Sequence, residues 1–382
     1  MDLQLDEDQI QFRQLAREFL DKEVVPHRQQ WDRDEQVDLG IIPKLAEIGF
    51  FGLSVPEEYG GVGGSLLTYA LGMEELGRAD SSIRGIVSVS LGLVGKVILA
   101  HGSEEQKQEW LVPICNGEKL ACFGLTEPGN GSDAANLQAK AVRDGDDYLI
   151  SGTKIFITNG TWADVALVMA RTGDKGPKGV SAFLVPTDLD GFERNTIHGK
   201  LGLRGQATAE LVLDNVRVPE SAMVGEEGAG FRYAMETLDK GRIGIAASCT
   251  GLIQACLEES VAYATQREQF GKPIASYQLV QDMIAEMSVD CDAARLLYWR
   301  ACDLADRGER FSTAASKAKL FASEAAVKAS NLAVQVLGGY GYVDEYPVQK
   351  LMRDARVMTL YEGTSQIQKL LIGRAETGIN AF

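Results

Sequence analysis

The stretch Tyr361-Glu362-Gly363-Thr364-Ser365-Gln366-Ile367-Gln368 places one carboxylate on a short break between two apolar helical patterns. Met352-Arg353-Asp354-Ala355-Arg356-Val357-Met358 runs ahead of it, and Ile367, Leu370 and Leu371 fall on one helical face behind it. Ser365, with Gln368 three residues on, has capping-box spacing. Glu362 is then expected just before a helix N-terminus, where amide donors and the helix dipole gather. A carboxylate on a rigidly started loop suits general-base catalysis. An acidic residue favoured near a helix start gives the same pattern, so spacing alone leaves both readings open.

Other stretches offer binding chemistry. Gly129-Asn130-Gly131-Ser132-Asp133-Ala134 formally matches G-x-G-x-x-A, but Pro128 precedes it and no βαβ unit surrounds it. The loop still presents backbone N–H groups and the Ser132 hydroxyl to an anion or a polar ring edge; a hairpin turn would look the same. Phe156 and Thr158 alternate in a strand-like segment and share a face. An aromatic ring and a hydroxyl together suit a flat heteroaromatic cofactor, and core packing is the alternative for Phe156. Arg267-Glu268-Gln269-Phe270-Gly271-Lys272 sets two cations near a glycine after a long helix, a pattern for phosphate or for a solvated helix end. Val336-Leu337-Gly338-Gly339-Tyr340-Gly341-Tyr342 is a helix stop whose glycines would let a ligand approach the backbone. Arg84 interrupts a small, apolar stretch, either at a helix end or surface or as a cation facing an internal pocket.

The elements that must position these groups follow from periodicity. Residues 1–120 read as helical, with Ile10, Phe12, Leu15, Phe19 and Leu20 at helical spacing, a stop at Pro26, and a glycine loop at 60–64. Residues 121–229 carry short apolar runs bounded by Gly, Asn, Asp or Pro, the pattern of an antiparallel β domain. Residues 230–382 return to long Ala- and Leu-rich helices over 230–265, 276–308, 312–337 and 345–372, which implies a four-helix bundle. The fold class is therefore α+β and multidomain: a helical domain, a middle β domain, and a helical bundle.

Composition removes several function classes. Among 382 residues the formal net charge is −16, which argues against nucleic acid as a partner. No apolar run approaches the roughly 18 residues that span a membrane. Met1-Asp2-Leu3-Gln4-Leu5-Asp6 is acidic from the second residue, unlike a secretory or transit peptide, so a cytoplasmic location of bacterial type, or a mature organellar matrix, is expected. The six cysteines include no C-x-x-C pair and sit among small apolar residues, as buried free thiols do. The three histidines, His27, His101 and His198, form no metal-ligand spacing, so no metal is expected.

Taken together, these pieces resemble the acyl-CoA dehydrogenase family of flavoproteins over nearly the whole chain. Phe123-Gly124-Leu125-Thr126-Glu127-Pro128-Gly129-Asn130-Gly131-Ser132-Asp133 is similar to one family signature. Gln335-Val336-Leu337-Gly338-Gly339-Tyr340-Gly341 and Tyr361-Glu362-Gly363-Thr364 are similar to others. Thr237-Leu238-Asp239-Lys240-Gly241-Arg242-Ile243-Gly244-Ile245-Ala246 resembles the short-chain (butyryl) branch.

The resemblance implies FAD, an acyl-CoA thioester, and a homotetramer that shares its flavins between subunits. It assigns Leu125, Thr126, Gly131 and Ser132 to the flavin lining and Thr158 to a ring contact. Phe156 stands where a tryptophan is common. Arg267, Phe270, Gln335 and Gly339 match cofactor contacts made across a subunit boundary, and Thr364 and Gln366 match contacts to the adenine half. Ser132, Asp239 and Arg242 match positions near the CoA chain; Tyr361 and Gly363 flank the acyl group.

Some family members carry the base at the position of Gly241, which leaves Glu362 as the candidate here. The implied reaction is α,β-dehydrogenation of a short acyl-CoA to trans-2-enoyl-CoA, with electrons passed to an electron-transferring flavoprotein. Asp80-Ser81-Ser82-Ile83-Arg84 looks like the glutaryl-CoA dehydrogenase segment whose arginine binds a distal carboxylate, although Gly77 replaces a glutamate of that enzyme. A dicarboxylic acyl-CoA and an oxygen-using oxidase are the alternatives.

Overall fold

Helix caps set the first elements of the computed structural model, which describes residues 4–380. Met1–Leu3, at the head of the acidic N-terminal stretch, and the terminal Ala381–Phe382 lie outside them. Asp6 accepts the Gln9 amide at 2.8 Å and Gln9 answers at 3.2 Å, so α1 (Glu7–Glu23) begins on a capping box. Two short helices, α2 (Arg28–Asp34) and α3 (Ile41–Glu47), turn Trp31, Ile41, Ile42 and Leu45 inward. After the glycine loop, Ser65 caps α4 (Leu66–Ala79).

The helical pattern from Leu66 onward breaks at Asp80, which is extended. Its carboxylate accepts the Ser82 and Ile83 amides at 2.7 and 2.9 Å and starts α5 (Ser81–His101). The α5 backbone widens into π-helical geometry over Ser88–Gly95. By length and composition α5 is apolar enough to cross a membrane, which a search for unbroken apolar runs does not register. Within the fold, 83% of its most apolar window is buried, so it serves as a core helix. Helix α6 (104–115) completes the N-terminal part.

Seven strands follow: β1 (Ala121–Gly124), β2 (Lys140–Asp144), β3 (Asp147–Thr158), β4 (Val165–Arg171), β5 (Val180–Pro186), β6 (Phe192–Thr196) and β7 (Thr208–Pro219). They pair in the order β1-β4-β2-β3-β7-β6, with β5 also on β4. Most pairings are antiparallel as expected, but β1–β4 and β2–β4 are parallel. The short runs at 148–150 and 154–158 are one bent strand. Its register shifts at Gly152, where φ is +147° and Ala139 lies against the backbone. The runs at 209–213 and 216–218 are likewise joined as β7.

The C-terminal part packs α7 (Gly230–Gln266), α8 (Gln278–Asp306) and α9 (Ser312–Leu337). A small hairpin, β8 (Glu268–Gln269) with β9 (Lys272–Pro273), links the first two and carries Phe270 and Gly271 at its tip. The fourth expected helix is split into α10 (Val348–Met358) and α11 (Ser365–Thr377). The cysteines expected in the core are all buried and free.

Glycines bring α4 and α7 into backbone contact. A Cβ on Gly251 would overlap the Glu74 carbonyl, and one on Gly77 would overlap the Ser248 backbone. Gly77 therefore has no room for any side chain. Glu74 accepts Arg13 at 3.0 Å, Arg295 at 2.9 Å and the Tyr298 hydroxyl, tying α1, α4 and α8. Gly251→Ala is expected to force the helices apart and cost about 1–3 kcal/mol. A lower denaturant midpoint at unchanged slope would show this; an unchanged midpoint would show that the contact is slack.

Candidate active site

An ion triad brings the site together. Lys350 of α10 is 2% exposed; its Nζ lies 2.8 Å from Asp80 Oδ2 and 2.6 Å from Asp354 Oδ2. Asp354 also accepts the Leu203 amide at 2.6 Å. The N-terminus of α5 is thereby locked to α10, and the turn after α10 faces the first turns of α5.

Thr364 Oγ1 accepts the Ile367 amide at 3.2 Å, so Thr364 is the cap of α11. The expected capping box at Ser365 is displaced by one residue: Ser365 is the first helical residue and donates its hydroxyl to Glu324. Gln368, instead of closing a box, sends Nε2 back to the Glu362 and Gly363 carbonyls at 3.3 and 3.1 Å. Lys319 Nζ of α9 donates to the Gly363 carbonyl at 2.9 Å. These bonds hold Glu362 at φ +50° and Gly363 at φ +91°. For a residue with a Cβ this left-handed backbone costs roughly 1–2 kcal/mol.

Glu362 is half-buried, and one oxygen of its carboxylate is turned into the interior. Its Oε2 is buried and has no hydrogen-bond partner, and a Cβ on Gly241 of α7 would overlap it. The Glu362 amide makes no hydrogen bond among the described residues. Burial pushes the carboxyl above the ordinary glutamate range; the charges of Arg84, Lys319 and Arg242 oppose the rise.

Arg84 is 1% exposed, so the surface reading does not hold; it lies buried in the first turns of α5, four residues after the Asp80 cap. Asp80 starts the helix one turn earlier and turns Arg84 inward. Its Nη1 lies 3.1 Å from Ser88 Oγ, its Nη2 donates to the Tyr361 hydroxyl, and its Nε has no partner among the described residues. No carboxylate pairs with it among the described residues. Burial works against its charge, but Tyr361, Glu362 and Cys249 outweigh that and leave the guanidinium's pKa raised. Arg242, 8% exposed, is paired with Asp239, which also accepts the Ser312 hydroxyl. Tyr69 of α4 presses its hydroxyl against Gly92 and Gly244; burial and then Glu362 push that hydroxyl's pKa up.

A second group lies on the β domain, across α5. Phe156 has φ +60° and is 66% exposed, while Ile157 beside it is buried and Thr158 is half-buried. Gln206 Nε2 donates to Thr158 Oγ1 at 3.1 Å, which leaves the Thr158 hydroxyl proton free to point elsewhere. The Gln206 carbonyl oxygen is buried without a partner beside Gly85. Leu125 and Thr126 follow β1, and Thr126 accepts the Ile155 amide at 2.9 Å. Glu127 closes the next loop by accepting the Ala139 amide and Lys154 Nζ, each at 2.8 Å. Inside that loop Gly129 and Gly131 face open space and Ser132 is exposed. An exposed ring, a free hydroxyl proton and open backbone amides on one edge fit a flat heteroaromatic group such as a flavin.

The remaining expected cofactor residues sit elsewhere. Arg267 and Gly339 line a cavity of about 670 Å³ with Tyr263, Gln269 and Tyr340. Phe270 is 96% exposed at its hairpin tip, and Gln335 and Gln366 are exposed. Along α7, Arg242 and Arg267 are separated by about 38 Å at the helical rise. One copy of the chain therefore gathers Glu362, Tyr361, Gly363, Arg84, Asp239 and Arg242, but leaves the Arg267 group far away.

Lys319, Gln206, Gln368 and Tyr69 are site residues that motif reading missed. For Lys319 a signal exists: helical spacing puts it on the face of Ala315, Ala322 and Ala326, all buried.

Comparison with known proteins matches three family models in series. They are "Acyl-CoA dehydrogenase, N-terminal domain" over residues 6–118, the middle domain over 122–216 and the C-terminal domain over 228–377. A short-chain specific acyl-CoA dehydrogenase of Clostridium acetobutylicum is 42% identical over 97% of this chain and 98% of its own. The butyryl-CoA dehydrogenase structure from Megasphaera elsdenii is 40% identical with a TM-score of 0.96, covering 98% of this chain and 100% of that one. A glutaryl-CoA dehydrogenase from Mycobacterium smegmatis, in complex with FADH2, is 37% identical with a TM-score of 0.95, covering 99% and 96%. Identity at this level across nearly the full length places the chain in the acyl-CoA dehydrogenase family.

Proposed function

We propose that this acyl-CoA dehydrogenase uses FAD to oxidise short acyl-CoA thioesters to trans-2-enoyl-CoA, with Glu362 as the base. The observation that carries the reading is the Glu362 carboxylate, whose Oε2 is buried without a partner among the described residues, in the space that Gly241 leaves by having no side chain. The α-proton of a thioester is weakly acidic, and a carboxylate held away from water is a stronger base than a hydrated one. Glu362 takes that proton. The unbonded Glu362 amide is the donor for the negative charge that gathers on the thioester oxygen. The Glu362–Gly363 turn thus supplies base and oxyanion donor from one residue.

Bound FAD supplies the acceptor for the hydride that leaves the β-carbon. Thr158, Phe156, Leu125, Thr126, Gly131 and Ser132 hold its ring side from the β-domain edge. Arg267, Phe270, Gln335 and Gly339, too distant within one copy, contact the cofactor of a second copy in a homotetramer; Thr364 and Gln366 reach its adenine half. Asp239, Arg242 and Ser132 steady the CoA chain, and Tyr361 and Gly363 flank the acyl group. An electron-transferring flavoprotein takes the electrons.

A second reading has a specific observation in its favour. Arg84 is a buried cation without a carboxylate partner, and burying such a charge is costly. A dicarboxylic acyl-CoA, glutaryl-CoA being the simplest case, would bring that carboxylate to the far end of the acyl pocket.

Glu362→Gln is expected to lower turnover of butyryl-CoA by about 10²–10⁴-fold while FAD content is unchanged; normal turnover would remove Glu362 as the base. Only ionised Glu362 accepts the proton, and burial raises its proton affinity. kcat/KM should therefore rise with pH through a midpoint above the ordinary glutamate value, and a limb at or below that value would contradict the assignment. For the substrate, Arg84→Ala should raise KM for glutaryl-CoA far more than for butyryl-CoA; equal effects on the two would dismiss the dicarboxylic reading.

A further inference from the structure

Lys319 is a buried cation whose place on α9 needs explanation. It stands among Ala315, Ala318, Ala322 and Ala326 and is 0% exposed. A lysine needs good reason to be there, since burial penalises its charge. No carboxylate ion-pairs with it among the described residues. Its hydrogen bond goes to the Gly363 carbonyl, 2.9 Å away and 44 residues along the chain. That carbonyl belongs to the residue directly after Glu362.

We propose that Lys319 is a positioning residue for the base: its hydrogen bond to the Gly363 carbonyl fixes the Glu362–Gly363 turn and sets its ammonium charge against the residue next to Glu362. The inference rests on the reading of Glu362 as the base. Two effects follow from one side chain. Anchoring the Gly363 carbonyl sets the orientation of the peptide groups around Glu362, and with them the direction of the carboxylate and of the free amide. The charge favours the ionised carboxylate against burial.

The other groups around the base do not duplicate this. Arg84 approaches from α5 and is engaged by Ser88 and Tyr361. Arg242 approaches from α7 and is neutralised by Asp239. Tyr69 from α4 and Tyr361 bring hydroxyls, whose own pKa values burial raises. Around Lys319 itself stand Cys249, Glu362, Arg242 and Glu324. Burial pulls its ammonium down to about 8, and the Glu362 carboxylate opposes that fall.

The test uses the flavin-loaded full chain with Lys319→Met, Lys319→Gln and Lys319→Arg. Lys319→Met should lower kcat by about 100-fold with little change in KM. It should also move the acid limb of kcat/KM upward by about one pH unit. Lys319→Arg should return the limb towards its original position, because it restores the charge. Lys319→Gln keeps a donor without charge; it should hold part of kcat while the limb stays shifted. If Lys319→Met does not fold, the Gln and Arg pair makes the same separation.

A second readout does not depend on turnover: the infrared band of the protonated Glu362 carboxyl, identified by its loss in Glu362→Gln, titrated against pH. Its midpoint should rise in Lys319→Met. An unmoved midpoint and limb, with only thermal stability lost, would overturn the proposal and leave Lys319 a structural residue. Absence of acyl-CoA turnover in the unaltered protein would instead fail the base reading and leave the infrared result to judge the electrostatic contact.

Discussion

One oxygen of the Glu362 carboxylate has been taken out of water, and no group among the described residues satisfies it. Most of the surrounding structure can be understood as the consequence. Removing an ion from water is expensive, and the usual outcome is a neutral, protonated group. Here three cations from three helices oppose that outcome without closing on the carboxylate: Arg84, Lys319 and Arg242. Had any of them formed a tight ion pair, the raised proton affinity on which the proposed role as base depends would be lost. Their hydrogen bonds go instead to Tyr361 and Ser88, to the Gly363 carbonyl, and to Asp239. The left-handed backbone at Glu362 adds strain, and the Thr364 cap, Gln368 and Lys319 offset it locally.

The fold was legible in the sequence where burial writes a strong period. The order of helices, strands and helices is visible because strand runs such as Val165–Ala170 are apolar throughout, while the helices repeat at their own spacing. What escaped lies at edges and bends. Strand β6 is mostly exposed, so no apolar pattern marks it. β3 reads as two runs because Gly152 interrupts its side-chain alternation, although the hydrogen-bonded chain continues. The parallel pairings are set by which strands meet across the sheet, and no local pattern encodes that. The apolar character of α5 is likewise an average over serines and glycines, which a search for continuous runs passes over.

The site divides along the same line. Glu362 stands out because its neighbours in sequence are its neighbours in space: the α10 end, the turn, and the cap of α11 are contiguous. Even so, the cap falls on Thr364, because Ser365 is claimed by Glu324 from another helix. Arg84 was ambiguous because its environment depends on Asp80 starting a new helix, and on α10 arriving over it. Lys319 and Gln206 act on residues far away in the chain, so only the fold reveals what they touch. Gly241 is the converse case. A residue without a side chain is informative only once the space it leaves has been shown to contain Glu362 Oε2.

Helix α5 joins the two sides of the chemistry. On one side Arg84 reaches the turn of the base through Tyr361. On the other, the Ile86 carbonyl and Ser90 hydroxyl receive the Asn159 amide, and Gly85 lies against Gln206, which holds Thr158. Asp80 caps the helix and Lys350 binds it to α10, which runs directly into Glu362. The contacts form a closed circuit from α10 through α5 and Arg84 back to the end of α10. Arg84 is one of the charges that lower the proton affinity of Glu362, and in the dicarboxylic reading proposed above it would also bound the acyl pocket. A substrate carboxylate seated on that guanidinium would cancel part of its field at Glu362. The base would then become stronger only when such a substrate is bound, whereas a neutral acyl chain would leave the field of Arg84 in place. In that reading, recognition of the distal end of the substrate and strength of the proposed base at its α-carbon would be coupled through a single side chain.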